Sequence, residues 1–454
     1  MSGLKRSRFS RHVLHRVAFV PVIASIAILV APALLVQSAR AAHPKNTASS
    51  VWKLAAIKVT GSQRYQPAEI VAACGLQIGQ SVTEEDFQKA SQRLGEIGAF
   101  DNVSYTFEYS GDEAKLTLQV HDAGHFVPVR FENFVWFTDA DLRAKLHEQV
   151  PLFDGMLPLS GGLADQVSDA LQVMLIESKV PGHADYVRAG PEGGAINAIV
   201  FSVTGPDIRI RNVEFAGASP SELPILNKLA RRLQERPYSH SLVEVQAEKN
   251  FLPVYLARGF LKAAITDAGA RVVEENDQET GVAVTLEVKP GPQYKVAGIQ
   301  WSGEKVFSDG QLSPLVHLQA GQPADTVQLQ DDLNAVKKLY GARGYVAASV
   351  VVAPQLDDAQ GTVSYKLDVH EGDVYHMGDI EMRGLDDHDA RLMQAKWNLD
   401  KGAIYDSSYP NRFLDDIFKS AVLDANWAVQ VDESPNEQDK TVDVTLRFAR
   451  KSIE

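Results

Sequence analysis

Short stretches of alternating apolar and polar residues recur along the chain, and four of them end on glycine at intervals of 156, 86 and 81 residues. Alternation with a period of two predicts a half-buried strand, and the glycine predicts a turn after it. The first interval is about twice the others, which predicts another copy near Asn133, since asparagine also tolerates a positive φ angle. The five copies are Ile57-Lys-Val59-Thr-Gly61, Val129-Arg-Phe131-Glu-Asn133, Val213-Glu-Phe215-Ala-Gly217, Ile299-Gln-Trp301-Ser-Gly303 and Ile380-Glu-Met382-Arg-Gly384.

A second pattern follows each opening strand by about 40 residues, where an amphipathic helix ends in glycine and an aromatic residue. Glycine just past the last turn adopts the left-handed conformation that ends a helix. The clearest copies contain Gly98, Gly259 and Gly344. Repeat two has the weaker Pro181-Gly182-His183, and repeat five has only Asn426-Trp427.

Each repeat closes with two alternating strands around a polar turn, which is the pattern of a β-hairpin. The order within a repeat is therefore strand, helix, helix, strand, strand. Three strands with two helices on one face form an α+β module, and short joins rich in proline and glycine favour an elongated array. The predicted domains are a signal peptide at 1–41 and modules at 52–124, 125–206 (degenerate), 207–292, 293–375 and 376–450 (degenerate).

The N-terminus carries the three parts of a secretory signal peptide: basic residues from Lys5 to Arg16, the uncharged apolar stretch Val17–Val36, and Ala39-Arg-Ala41 as the cleavage site. An uncleaved membrane anchor is the alternative, because these 20 apolar residues could cross a bilayer. Pro21 and Pro32 disfavour a continuous helix. Either interpretation predicts that residues 42–454 lie outside the cytoplasm.

Charge and cysteine content narrow the possible partners. Cleavage would remove six basic residues and no acidic ones, which changes the net charge from −13 to −19. A chain this acidic repels phosphate backbones, so nucleic-acid binding is not expected. The single cysteine, Cys74, excludes an intramolecular disulfide and lies in an apolar helical pattern typical of a core.

In its order of elements, the repeat resembles the POTRA (polypeptide-transport-associated) domain. The resemblance rests on the strand that ends at glycine, the Gly-Phe or Gly-Tyr after the second helix, and the closing Val369-His-Glu371-Gly372. It covers essentially all of residues 52–450. Five such domains after a signal peptide are similar to the periplasmic half of the barrel-assembly factor of Gram-negative outer membranes.

This resemblance implies a non-enzymatic periplasmic array that is associated with the outer membrane through its partners. Such an array binds unfolded or extended outer-membrane proteins and docks other subunits of an assembly complex. In the family a C-terminal barrel performs insertion. The sequence ends at Glu454 without a run of barrel strands, so the expected roles are a chaperone, a docking scaffold, or a subunit beside a separately encoded barrel protein. The alternative is an envelope or division-complex scaffold, which requires Val17–Val36 to remain as an anchor.

An extended client can add to the edge of a small sheet through main-chain hydrogen bonds. In the family this edge is the strand after the second helix, which corresponds here to Val103–Phe107, Ala263–Thr266 and Ala347–Val351. An ordinary half-buried strand is the alternative interpretation of each segment. The candidate client-binding residues are Val103, Tyr105, Phe107, Ala263, Ile265, Ala347, Ser349, Val350 and Val351.

No motif predicts catalysis, a metal site, a cofactor or a small-molecule substrate. His121 and His125 have helical spacing, but a strand precedes them and no glutamate follows the first histidine as in zinc proteases. Asp386–Asp389 lacks the spacing of a calcium loop and predicts a helix cap instead. The glycines of 190–194 predict a hairpin turn rather than a phosphate-binding loop.

Overall fold

The computed structural model describes residues 51–276, 279–420 and 426–451. These residues form five successive modules, each with one small β-sheet and two helical segments, in the order that the repeats predict. The predicted signal peptide at 1–41 lies outside the described residues. Among the helices in the described ranges, none is long and apolar enough to cross a membrane.

The first two modules have the same order of six elements. Module 1 contains β1 (Trp52–Thr60), α1 (Pro67–Cys74), β2 (Ser81–Val82), α2 (Glu84–Ile97), β3 (Phe100–Ser110) and β4 (Glu113–Asp122). Module 2 contains β5 (Phe126–Phe131), α3 (Asp139–Gln149), β6 (Met156–Pro158), α4 (Leu163–Glu177), β7 (His183–Ala189) and β8 (Ala198–Thr204).

The last three modules lack the short strand that lies between the two helices of modules 1 and 2. Module 3 contains β9 (Asp207–Ala216), α5 (Leu223–Ala230), α6 (His240–Gln246) joined by the π-helix Ala247–Phe251 to α7 (Leu252–Leu256), β10 (Ala264–Glu275) and β11 (Glu279–Lys289). Module 4 contains β12 (Lys295–Ser302), α8 (Asp309–Leu312), the 3-10 turn Ser313–Leu315, α9 (Thr326–Gly341), β13 (Ser349–Asp357) and β14 (Thr362–His370). Module 5 contains β15 (His376–Arg383), α10 (Asp387–Lys396), α11 (Tyr409–Lys419), β16 (Trp427–Asn436) and β17 (Thr441–Arg450).

The last strand of each module lies in the middle of its sheet. It pairs parallel with the opening strand on one side and antiparallel with the preceding strand on the other. Its apolar residues alternate, and in β14 this buries Val363, Tyr365, Leu367 and Val369 while the residues between them stay exposed or half-buried. One face of the sheet therefore packs on the helices, as in the predicted two-layer α+β module.

The edge formed by each opening strand is partly covered by the loop before the second helix. In modules 1 and 2 this loop forms the short strands β2 and β6, which extend those sheets to four strands. In the other modules the same contact is a single bridge, from Arg209 to Pro237, Lys295 to Pro323 and His376 to Ile404. The repeats did not predict this contact, because two or three paired residues leave no periodic pattern.

In modules 1, 3, 4 and 5 a glycine follows the opening strand, and two features of the backbone require glycine there. Gly61, Gly217, Gly303 and Gly384 all have a positive φ, which confirms the predicted turn. In addition, a Cβ at these positions would lie 2.0 to 2.5 Å from a carbonyl oxygen of the closing strand. The opening strand therefore ends where the two backbones approach too closely for a side chain.

Asn133 occupies the same place in module 2, but the predicted reason for it was wrong. The described non-glycine residues with positive φ are Lys179, Glu235 and Lys440, and Asn133 is not among them. Its side-chain amide instead donates to the carbonyl oxygen of Val203 at 2.9 Å and accepts from the Val203 N–H at 2.7 Å. A side-chain hydrogen-bond pair thus replaces the close backbone approach.

The glycines that end the second helices lie at the joins between modules. Gly98, Gly259 and Gly344 have φ angles of 82°, 82° and 88°, which confirms the predicted left-handed helix ends. The carbonyl oxygens of Gly259 and Gly344 accept from the N–H groups of Tyr294 and Tyr375 of the following modules, at 2.7 and 2.8 Å. Both tyrosines are buried, Tyr294 in the core of module 4 and Tyr375 in the core of module 5.

The join between modules 2 and 3 is different. The glycine of Pro181-Gly182-His183 contacts the end of its own module, and the loop between β5 and α3 makes the join instead. The backbone carbonyl oxygen of Glu132 accepts from the N–H of His240, and its carboxylate accepts from the N–H of Ser241. Trp136 Nε1 donates to the Glu275 carboxylate at 2.9 Å. Val135 is buried among the core residues of module 3.

Candidate polypeptide-binding edges

Each of the five sheets ends in a strand that pairs on one side only. This strand follows the second helix in every module, and its other side carries backbone N–H and C=O groups without a strand partner in the described part of the chain. Such an edge is a template for a further strand. The five edge strands are β3, β7, β10, β13 and β16.

The structure places most of the predicted site residues on these edges, in three separate sheets. Val103, Tyr105 and Phe107 lie in β3 with half-buried side chains that pack on the core. Ile265 lies in β10 in the same way. These residues are not brought together into one site, because each edge belongs to its own module.

Two of the predicted positions are wrong as strand residues. Ala263 comes directly before β10, and Ala347 lies in the turn before β13. Ser349, Val350 and Val351 do lie in β13. The error has a local cause: alternation of small apolar residues does not show where a strand begins, and boundaries are the least certain part of such a prediction.

β7 and β16 were not predicted as edges, because the repeats of modules 2 and 5 are degenerate. The order of elements alone could have found them, since the edge always follows the second helix. β7 pairs with β8 over seven residues without a register shift. β16 pairs with β17 over ten residues, also without a shift.

Pro354 determines which backbone groups of β13 face the open side. β13 pairs with β14 over its full length without a register shift. Proline has no N–H to donate to β14, so Pro354 stands where the backbone of β13 points away from β14. This orientation alternates along an antiparallel strand, so Val350, Val352 and Leu356 also direct their N–H and C=O groups to the open edge.

The edge strands differ in the bulges, prolines and charged residues that hinder pairing with an added strand. In β10 the register shifts between Asp267 and Ala270, and the Asp267 carboxylate points inward to His240 Nδ1 at 2.5 Å. Bulges and inward charges are devices that protect edges. β16 carries Pro435 together with the acidic residues Asp432 and Glu433. β13 is the most apolar of the five, and its one proline, Pro354, and its one charged residue, Asp357, both lie in its second half.

The chemical motifs that the sequence analysis set aside have structural roles. Asp386 accepts from the backbone N–H groups of His388 and Asp389, which confirms it as the cap of α10. His121 lies in β4, and His125 lies in the link to β5. In the described ranges no group of three or more His, Cys, Asp or Glu side chains is placed to hold a metal ion. Cys74 is buried, as predicted, and burial raises the pKa of its thiol.

The fold and its open edges define a tandem array of β-α-α-β-β modules. Residues 53–122 and 294–372, in modules 1 and 4, match the POTRA family, whose description is surface antigen variable number repeat. Modules 1 and 4 therefore match the POTRA domain, the resemblance that the sequence pattern predicted.

The chain is similar to outer-membrane protein assembly factors. It is 22% identical over 271 residues to a Treponema pallidum protein whose name assigns it provisionally to these factors, a match that covers 58% of this chain and 32% of that protein. It is also 22% identical over 307 residues to the outer membrane protein assembly factor BamA of Nitratidesulfovibrio vulgaris, covering 65% of this chain and 38% of the relative. The matched region thus spans about a third of the length of these relatives.

A solved structure with a similar fold is the crystal structure of Haemophilus influenzae BamA POTRA3–5. It is 22% identical in sequence and superposes with a TM-score of 0.42, covering 54% of this chain and 96% of that one.

Proposed function

We propose that the chain is a non-enzymatic array that binds extended or unfolded outer-membrane proteins in the periplasm and docks subunits of their assembly complex. The observation that carries the proposal is the open edge strand after the second helix in every module. An added strand satisfies its own backbone groups on such an edge and needs little particular sequence, which suits a binder of many clients. The similarity to outer-membrane assembly factors supports the same function.

The test uses the full chain and an outer-membrane protein that is diluted from urea and labelled with a fluorophore. Val352→Pro removes one N–H from the open edge of β13 but no hydrogen bond to β14, because Val352 shares the orientation of Pro354. We expect the variant to stay folded and to bind the client more weakly. Ala353→Pro is the matched comparison: it removes a hydrogen bond to β14, so it should destabilise module 4 itself.

Two results would contradict the proposal. The first is that the full chain does not bind any unfolded outer-membrane protein. The second is that binding survives when outward-facing backbone groups are removed at every edge strand in turn and in combination, while the modules remain folded. The anchored-scaffold alternative depends on residues 17–36, which lie outside the described residues.

A further inference from the structure

An apolar groove of about 360 Å³ runs beside the open edge of β13, where modules 3 and 4 meet. β13 contributes Val352, Pro354 and Leu356, and α9 contributes Leu329 and Leu333. Leu256 and Leu261 of module 3 line it as well, so the groove requires the join between the two modules. Leu356 is 42% exposed, which leaves a large apolar side chain in contact with solvent.

The groove and the open backbone groups belong to the same residues. Val352 and Leu356 direct their backbone groups to the open edge and their side chains into the groove. Paired residues on neighbouring strands place their side chains on the same face of a sheet. A residue of an added strand that bonds to Val352 or Leu356 would therefore place its own side chain in the groove. Only an extended polypeptide satisfies both the edge and the groove.

Two residues that line the groove carry a hydroxyl group without a hydrogen-bond partner among the described residues. They are Tyr365 and Thr326, and both hydroxyl oxygens are buried. The Tyr365 side chain is only 2% exposed, and its burial raises the pKa of the phenol to about 12, so it is a neutral donor and acceptor at physiological pH. A buried hydroxyl without a partner favours a ligand that supplies one.

We propose that this groove holds a tyrosine or tryptophan side chain of an extended segment added to β13. These are the side chains that combine a large apolar body with a hydrogen-bonding tip. The apolar lining takes the ring, and a small shift of the lining on binding exposes the buried Tyr365 and Thr326 hydroxyls to the O–H or N–H. This inference rests on the proposed function, to which it adds a particular edge and a side-chain preference.

The test measures the affinity of the full chain for fluorescein-labelled ten-residue peptides in which threonine alternates with valine. The central valine is replaced by Tyr, Trp, Phe or Ser. We expect the Tyr and Trp peptides to bind at least about tenfold more tightly than the Ser peptide, with Phe between them. In the Tyr365→Phe chain, which keeps the ring, the preference for Tyr over Phe should fall about fivefold.

Filling the groove gives an independent test. Gln330 is exposed at the rim of the groove, so Gln330→Trp should fill it without disturbing the core and should abolish the preference for aromatic peptides. Asn334→Trp, exposed on the same helix and outside the groove, is the matched control and should change nothing.

The outcomes separate the two proposals. If no peptide binds, both the groove and strand addition are wrong. If peptides bind, but their affinity depends neither on the central residue nor on Gln330→Trp, strand addition occurs at another edge. The groove proposal is then overturned. If the chain self-associates in sedimentation experiments and Gln330→Trp abolishes that, a second copy occupies the groove and the proposal is equally overturned.

Discussion

The side chain of Asn133 forms two hydrogen bonds to the backbone of Val203, and this pair joins the opening strand of module 2 to its closing strand. In the other modules a glycine stands at this position, and the closing strand passes directly over it. Module 2 therefore uses a different physical solution for the same connection, which makes its response to substitution distinct.

We predict that Asn133→Ala destabilises module 2 by about 2 kcal/mol, since two hydrogen bonds are lost at roughly 1 kcal/mol each. The Asn133→Gly variant should be no more stable than Asn133→Ala, although glycine is the residue at the four equivalent positions. Urea unfolding monitored by circular dichroism measures both changes. Full stability of the glycine variant would mean that backbone freedom, and not the amide, is what the position requires.

The two roles of glycine can be separated within module 4. Gly303 and Gly321 have the same φ of 84°, but a Cβ at Gly303 would lie 2.4 Å from the Val369 carbonyl oxygen, whereas a Cβ at Gly321 has nothing within 4 Å. Gly321→Ala should cost about 1 kcal/mol, from backbone conformation alone. Gly303→Ala should cost about 2 kcal/mol more, from overlap with the closing strand. Equal losses in urea unfolding would show that the close approach is not what selects glycine at Gly303.

Module 3 carries a non-glycine residue where its neighbours have glycine. Glu235 has a φ of 63°, in the loop where Gly155, Gly321 and Gly402 have positive φ. We predict that Glu235→Gly stabilises module 3 by about 0.5 to 1 kcal/mol. The lost ion pair matters little, because Arg211 also contacts Glu274 and Glu279. Glu235→Ala loses the ion pair but keeps the unfavourable φ, so a gain in that control would contradict this explanation.

The stability of module 3 should fall as the pH rises. Burial opposes the charged form of His240, but the hydrogen bond and charge of Asp267 outweigh it, together with the charges of Asp139 and Glu132 from module 2, so its pKa is raised. A raised pKa contributes stability below the ordinary histidine value of about 6.5, and this stability is lost as the pH rises through the raised value.

Urea unfolding of the full chain between about pH 5 and pH 9 tests this dependence. The pH-dependent part of the stability should disappear in His240→Phe. His370→Phe, an exposed histidine on β14, is the control and should leave the dependence unchanged. A pH dependence that persists in His240→Phe would assign it to another group.

Much of the fold could be predicted from the sequence, because its signals are local. Alternation identified the strands, and Gly98, Gly259 and Gly344 marked the helix ends correctly. The contacts of these glycines with the next module could not be predicted, since a contact between distant residues leaves no local period. The Asn133 prediction failed because sequence shows which conformations asparagine tolerates, and not which partner its amide finds.

The candidate edges were predicted less completely than the fold. The family resemblance selected the strand after the second helix, and the structure places an open edge there in all five modules. The groove beside β13 could not be predicted, because Leu261 and Leu333 come from different modules and meet only in the folded chain.

The most direct test of strand addition changes the backbone of the ligand and leaves its side chains intact. A ten-residue alternating peptide that binds the full chain is synthesised with N-methyl groups on either its odd or its even amides. Only one of these two sets faces the edge strand in an added strand, because backbone direction alternates along it. Strand addition predicts that methylation of one set abolishes binding and that methylation of the other set has little effect. Equal binding by both methylated peptides would show that the chain recognises side chains alone and would contradict strand addition.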